Sequence, residues 1–129
     1  MEKKYADHIT TLQELKEYMG NFVDERDWNR FHSPKNLSAS IAIEAAELME
    51  KFQFLSEEES YKIAQSHKQE VAYELVDVLA YILSFANRCD IDLSATYMEK
   101  MKLNAKKYTV ERAKGDFGKY TKLEKPVQE

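Results

Sequence analysis

The sequence predicts an all-α fold, a helical bundle of four to five helices, and three observations lead to that expectation. Apolar residues recur at helical spacing along most of the chain. No stretch alternates polar and apolar residues with a period of two for long enough to form a strand. The 129 residues include only 3 Gly and 2 Pro, so few positions would interrupt a long helix.

The first helix is expected to begin after Thr11, because Thr11 and Glu14 have the spacing of a capping box. Its apolar positions continue at helical spacing up to about Trp28. An ordered loop rich in aromatic rings is expected next, over residues 26–36, where Pro34 biases the residue before it away from helix.

The second helix is expected from about Asn36 or Ser38 to Phe54. Apolar residues occupy nearly all of its faces, which predicts that neighbouring elements enclose it. A further capping box, Ser56 with Glu59, follows directly and predicts another helix start.

The strongest helical pattern begins at residue 67 or 68 and ends at 88. Whether residues 57–66 continue into it is left open by the pattern. Residues 90–94 are typical of a turn and a helix cap, and the last helix is expected to reach about Lys114. We therefore expect one domain over residues 1–114 and an irregular C-terminal tail over 115–129.

Composition narrows the partners and the compartment. A net charge of −4 without a basic block argues against a nucleic acid polymer as partner. The single cysteine, Cys89, forms no internal disulfide and is interpreted as a packing residue in a reducing compartment. No signal-peptide pattern or membrane-length apolar run is present, so a cytoplasmic protein without a membrane partner is expected.

Two pairs of acidic residues interrupt the apolar faces of the two longest predicted helices. Glu44 and Glu47 are three residues apart, as are Glu74 and Asp77, so each pair lies on one helix surface. Glu44 falls on the same side of its helix as leucines, which directs an acid toward the core. Four carboxylates converging in a bundle would raise one another's pKa values unless a cation compensated them.

Oxygen ligands of this kind favour Mg²⁺, with Mn²⁺ as a possible substitute. A di-iron bundle would instead carry Glu-x-x-His, and the positions three beyond Glu44 and Glu74 are Glu47 and Asp77. The alternative is that these acids form salt bridges with Lys or Arg of other helices.

These residues resemble the all-α nucleotide pyrophosphohydrolases of MazG type, whose hallmark is Glu-Glu-x-x-Glu followed at a distance by Glu-x-x-Asp. The chain reads Ile43-Glu-Ala-Ala-Glu47 and Glu74-Leu-Val-Asp77. The replacement of the first glutamate by Ile43 is similar to the dCTP pyrophosphatase branch. The resemblance extends from about residue 11 to 121 through four stretches, 25–36, 47–54, 74–81 and 100–108.

The resemblance implies roles for individual residues. Glu44, Glu47, Glu74 and Asp77 would hold Mg²⁺, with Glu47 preferred as the carboxylate that orients or deprotonates the water. The base and sugar would be bound by Trp28, His32, Phe54 and Tyr81. Phe54 stands where the family is expected to carry tryptophan, which could shift the choice of base. The helical spacing of four further residues, by itself, predicts a row of phosphate-binding side chains on one side of the last helix, with a solvated helix face as the alternative: Lys100, Asn104, Lys107 and Tyr108.

The expected activity is hydrolysis of a dNTP, dCTP or a modified dCTP, to its monophosphate and pyrophosphate in nucleotide-pool sanitation. One alternative is a relative that acts on another nucleotide such as dUTP. Another is a non-enzymatic helical adaptor that binds partner helices. Because the second helix is apolar nearly all round, a homodimer or homotetramer is expected to complete the bundle.

Overall fold

The computed structural model describes residues 1–115. Its helices are, in chain order, α1 (Leu12–Glu25), a 3₁₀ turn (Asn29–Phe31), α2 (Pro34–Glu50), α3 (Glu57–Ser66), α4 (Lys68–Arg88), α5 (Leu93–Lys107) and α6 (Val110–Ala113). Within these residues there is no strand, so the predicted all-α class is confirmed. None of the described helices is both long and apolar enough to cross a bilayer. Beyond Gly115, the predicted C-terminal tail lies outside the described residues.

The start of α1 is capped as the sequence predicts. The Thr11 hydroxyl oxygen accepts a hydrogen bond from the Glu14 N–H at 3.1 Å, and the Glu14 carboxylate accepts from the Thr11 N–H at 2.8 Å. Two backbone donors that the helix leaves unpaired are thereby satisfied.

The end of α1 comes at Glu25, three residues before the predicted Trp28. Asp27 adopts the left-handed conformation with φ 53° and donates its N–H to the Asp24 carbonyl, while Trp28 donates to the Val23 carbonyl. This pair of bonds is the Schellman ending of a helix. The apolar periodicity does not indicate this helix end, because Trp28 packs against Phe22 of α1 although it lies beyond the last helical residue.

The second helix begins at Pro34 and ends at Glu50, earlier at both ends than predicted. Ser33 is the N-cap and accepts from the Asn36 N–H at 3.2 Å, and proline at the first helical position lacks only a donor that would be unpaired there. Residues 51–54 form a turn, since the N–H groups of residues 51 and 52 bond to carbonyls three residues earlier.

The capping box of Ser56 and Glu59 starts α3 as predicted. His67, with φ −116° and ψ 33°, separates α3 from α4, which settles the open question of continuity. The predicted bounds of α4 are confirmed.

The last predicted helix is instead two helices. It breaks at Tyr108, whose φ of −113° and ψ of 66° end α5, and α6 follows as a single turn. Cys89 is exposed, so its interpretation as a packing residue is wrong.

The chain divides into two compact units, Met1–Ile91 and a second that begins at Asp92. The single domain expected over residues 1–114 stays a prediction. In the first unit α4 is the central helix and packs against α1, α2 and α3. The buried apolar residues of the described chain are few: Val23, Leu37, Leu83 and Ala86.

Large apolar side chains on α2 and α4 remain exposed, each by more than half. They are Ile43, Met49, Tyr73, Leu75 and Val76. Within one chain α2 is therefore not enclosed on all faces, and its enclosure in a homo-oligomer stays a prediction.

Candidate active site

Three acids from two packed helices meet in the first unit. Glu44 comes from α2, and Glu74 and Asp77 come from adjacent turns of α4. One carboxylate oxygen of each lies within 4.8 Å of the others. Because α2 packs along α4, acid pairs spaced by three residues on each helix can face the same point.

Two oxygens of this acid cluster are orphaned. The Oε2 atoms of Glu44 and Glu74 are buried and have no hydrogen-bond partner among the described residues. The other oxygen of Glu74 lies 3.9 Å from the Lys51 ammonium nitrogen, a long ion pair. A buried carboxylate oxygen without a partner is costly, and the long ion pair to Lys51 compensates only part of the cluster's negative charge.

The pKa of Glu44 reflects that deficit. Burial raises it above the ordinary value of 4.5, and a hydrogen bond with Glu47 and the negative charges of Glu47, Asp77 and Glu74 raise it further. Ionised Glu44 is therefore disfavoured in the protein alone, and a nearby cation would favour it.

The donor set fits a hard divalent cation. It consists of carboxylate oxygens from three residues, two of them buried and unpartnered, and such oxygens are the ligands that Mg²⁺ and Mn²⁺ prefer. Mg²⁺ in proteins typically binds one or two carboxylates and keeps positions for water and phosphate oxygens. The salt-bridge alternative has one close candidate in the described cluster, the Lys51 contact at 3.9 Å.

Glu47 lies beside the cluster and not within it. It is exposed and lines an open pocket of about 310 Å³ together with Glu50, Lys51 and Glu74. The structure thus brings together three of the four predicted metal ligands and places the fourth next to Glu44.

A cavity of about 330 Å³ adjoins the acid cluster in the first unit, and we call it the aromatic pocket. Glu44 and Asp77 line it, and so do three of the predicted substrate-binding residues: Trp28, His32 and Tyr81. Its remaining lining residues, which sequence reasoning did not assign to the site, are Tyr18, Met19, Phe22, Val23 and Ala80. Those on α1 belong to an ordinary apolar stripe, so the pattern gave no signal that they face a cavity.

The rings of this pocket hold one another in place. Phe22 and Trp28 pack edge to face with centroids 5.8 Å apart, and His32 and Tyr81 lie 6.5 Å apart. Burial lowers the pKa of His32, and the positive charge of Arg88 lowers it further. The imidazole is therefore neutral over a wider pH range than a free histidine.

The remaining predicted substrate-binding residues are not among those that line the aromatic pocket. Phe54 is in the turn after α2, is 90% exposed and does not line the aromatic pocket. The predicted phosphate-binding residues all belong to the second unit, where three lie on α5 and Tyr108 is its C-cap: Lys100, Asn104, Lys107 and Tyr108. Their roles stay predictions.

Comparison with known proteins identifies relatives of this chain. The model of the MazG-like family matches residues 39–123. The dCTP pyrophosphatase 1 of Rattus norvegicus is 38% identical over 115 residues, which cover 88% of this chain and 68% of that protein. The dCTP pyrophosphatase 1 of Homo sapiens is 36% identical with the same coverage.

A solved structure gives the same result. The crystal structure of a pyrophosphatase from Archaeoglobus fulgidus superposes with a TM-score of 0.74 at 37% identity, covering 82% of this chain and 99% of that one. The family match and these names bear out the predicted enzyme class, a nucleotide pyrophosphatase. The chain belongs to the MazG-like family.

Proposed function

We propose that the chain is a Mg²⁺-dependent nucleoside triphosphate pyrophosphohydrolase. It would cleave a dNTP, dCTP or a modified dCTP, to the monophosphate and pyrophosphate and so remove unwanted nucleotides from the pool. The observation that carries this proposal is the contact between the acid cluster and the aromatic pocket, which share Glu44 and Asp77. One cavity therefore offers a flat apolar surface for a base and an acidic edge suited to a metal-bound triphosphate.

Base and sugar would occupy the aromatic pocket. Aromatic side chains bind a base by stacking, and Trp28 and Tyr81 supply two such rings to the aromatic pocket. Neutral His32 can donate or accept a hydrogen bond there without adding a charge. The triphosphate of a nucleotide bound this way would extend toward Glu44 and Asp77.

Glu44, Glu74 and Asp77 would hold the metal through their carboxylate oxygens. When bound, Mg²⁺ supplies positive charge that stabilises the phosphoryl oxygens and the departing pyrophosphate. Lys51 Nζ, which lies beside Glu74, adds a point charge at the same edge.

Glu47 would act on the attacking water. It is exposed beside Glu44, in an open pocket that admits solvent. We propose that its carboxylate accepts a proton from the water that attacks the α-phosphorus. The new P–O bond forms to that water oxygen, and the bond to the β-phosphate's bridging oxygen breaks to release pyrophosphate.

Oligomerisation belongs to the same proposal. The apolar side chains that α2 and α4 expose are of the kind that a second copy would cover. A homodimer or homotetramer would bury them.

The test is pyrophosphate release from canonical and 5-modified dNTPs and from NTPs, with Mg²⁺, with Mn²⁺ and with EDTA. The proposal expects metal-dependent formation of monophosphate and pyrophosphate in equal amounts, fastest for a cytosine dNTP. A preference for dUTP would assign the chain to a different substrate class. No cleavage of any nucleotide would favour the adaptor alternative.

A further inference from the structure

A second, smaller cavity opens behind His32 in the first unit. Its volume is about 210 Å³, and it shares Met19, Val23 and His32 with the aromatic pocket. Its other walls are mostly polar, and we call it the polar pocket. They include Asp24, Asn29, Ser84, Asn87 and Arg88, none of which was singled out by sequence patterns.

Most polar groups in this pocket already have partners. The Asn87 amide donates to the Lys16 carbonyl at 2.8 Å, and Arg88 donates to the Asn29 carbonyl at 3.2 Å. The Asn29 amide in turn donates to the Asp24 carboxylate. These bonds link α1, the 3₁₀ turn and α4, so they form a frame around the cavity before any ligand arrives.

Ser84 is the exception. It is 5% exposed, and its hydroxyl oxygen is buried without a hydrogen-bond partner among the described residues. Buried hydroxyls nearly always have a partner, in the protein or in an ordered water, whose position a polar atom of a ligand can also take. Ser84 lies on α4 one turn beyond Tyr81 and Ala80, which line the aromatic pocket, so its hydroxyl lies just past that pocket.

The size of the polar pocket indicates what it can hold. Small-molecule sites typically occupy about 300–1,000 Å³, so 210 Å³ suits part of a ligand better than a whole one. Because His32 borders both cavities, a ring in the aromatic pocket could present one edge to the polar pocket. The three sites are therefore contiguous. The acid cluster would face the triphosphate, the aromatic pocket would hold the nucleoside, and the polar pocket would face the edge of the base.

We propose that the polar pocket reads the hydrogen-bonding edge of the nucleobase and that Ser84 is a residue that selects the base. The Ser84 hydroxyl would donate to an exocyclic carbonyl group or accept from an exocyclic amino group, within the frame set by Asn87, Asn29 and Arg88. This inference rests on the proposed nucleotide hydrolysis and adds to it the residue that distinguishes one base from another.

Ser84→Ala tests it by removing the hydroxyl and keeping the helix and the space. For each of the four canonical dNTPs, kcat/KM would be measured with Mg²⁺. A lost neutral hydrogen bond lowers kcat/KM for the preferred base by about 3- to 10-fold. Bases that do not use the hydroxyl should change by less than about 2-fold. The matched control is Ser60→Ala on α3, a serine that lines neither pocket and should leave all four values unchanged.

A second variant keeps the test decisive if Ser84→Ala unfolds. A Cβ at Gly20 would lie 3.7 Å from the Asn87 amide nitrogen, an ordinary contact, so Gly20→Ala should fold while narrowing the polar pocket. It should lower kcat/KM for the preferred base more than for the others.

The outcomes separate this inference from the function on which it rests. A wild-type enzyme that discriminates among bases, together with Ser84→Ala and Gly20→Ala variants of unchanged discrimination, would overturn the role of the polar pocket and leave the function standing. A wild-type protein that cleaves no nucleotide would overturn both. An altered base ratio in folded Ser84→Ala, with Ser60→Ala unchanged, would support the inference.

Discussion

The rings of His32 and Tyr81 lie with their centroids 6.5 Å apart and their planes inclined by 49°. This contact joins the loop before α2 to the middle of α4, and both residues line the aromatic pocket. Because Asp77 lies one turn before Tyr81 on α4, the same helix presents an acid and an aromatic ring to one cavity. The proposed function depends on this arrangement.

Glu44→Gln and Asp77→Asn should each lower kcat/KM by about 100-fold or more, since a metal contributes several kcal/mol to phosphoryl transfer. Both variants should stay folded in EDTA.

The pKa of Glu44 is raised in the folded protein. The stability that Glu44 contributes is therefore complete below pH 4.5 and is lost as the pH rises through the raised value. At pH 8, Gln at position 44 should therefore leave the melting temperature equal or higher.

The control for these variants is Glu70→Gln, an exposed acid in the first turn of α4. It should retain full activity. Full activity in Glu44→Gln and Asp77→Asn as well would rule out the metal site, and loss of folding in EDTA would show that the acids are structural.

His32 should make stability depend on pH. Because its pKa is lowered in the folded protein, its contribution to stability is complete above the ordinary value of 6.5 and is lost as the pH falls through the lowered value. Wild type should thus lose more thermal stability than His32→Gln between pH 8 and pH 5. Equal losses, measured by thermal unfolding in the same buffers, would show that the histidine is not held neutral.

Trp28→Ala should weaken nucleotide binding. Stacking contributes about 1–3 kcal/mol per base, so KM should rise by roughly 10-fold or more while kcat changes less. Phe31→Ala is the control, since Phe31 belongs to the same segment, is 55% exposed and does not line the aromatic pocket. Equal effects of the two substitutions would contradict the assignment of Trp28 to the base.

The molar mass in solution should exceed that of one chain. The chain has a mass of 15.1 kDa, and light scattering with size-exclusion chromatography should give about two or four times that value. Tyr73→Glu, at a tyrosine that is 64% exposed on α4, should shift the mass toward a single chain. A wild-type monomer at micromolar concentration would contradict the expected assembly.

Much of the fold could be predicted because side chains close together in the sequence determine where a helix begins. The capping boxes of Thr11 with Glu14 and Ser56 with Glu59 are local, and both form as predicted. The predicted positions of helix ends were less accurate, and α1 is an example. The Asp27 conformation that closes α1 is a property of backbone geometry, and aspartate carries no sequence signal as strong as glycine.

The acid cluster could be predicted because carboxylates among leucines are conspicuous. The spacing placed Glu44 on an inward face, and the structure brings it to Glu74 and Asp77. Ser84 could not be predicted, since a serine among small apolar residues is unremarkable until its burial and the cavity beside it are known. The exposure of Phe54 depends on contacts that a single helix pattern does not encode.

The most direct test of the central claim is hydrolysis of the best dNTP in ¹⁸O-labelled water, with Mg²⁺ and with EDTA, followed by mass spectrometry of both products. Attack on the α-phosphorus with the metal held at Glu44, Glu74 and Asp77 predicts the label in the monophosphate, none in pyrophosphate, and no turnover in EDTA. Label in inorganic phosphate or pyrophosphate, or turnover that persists in EDTA, would contradict the proposed chemistry.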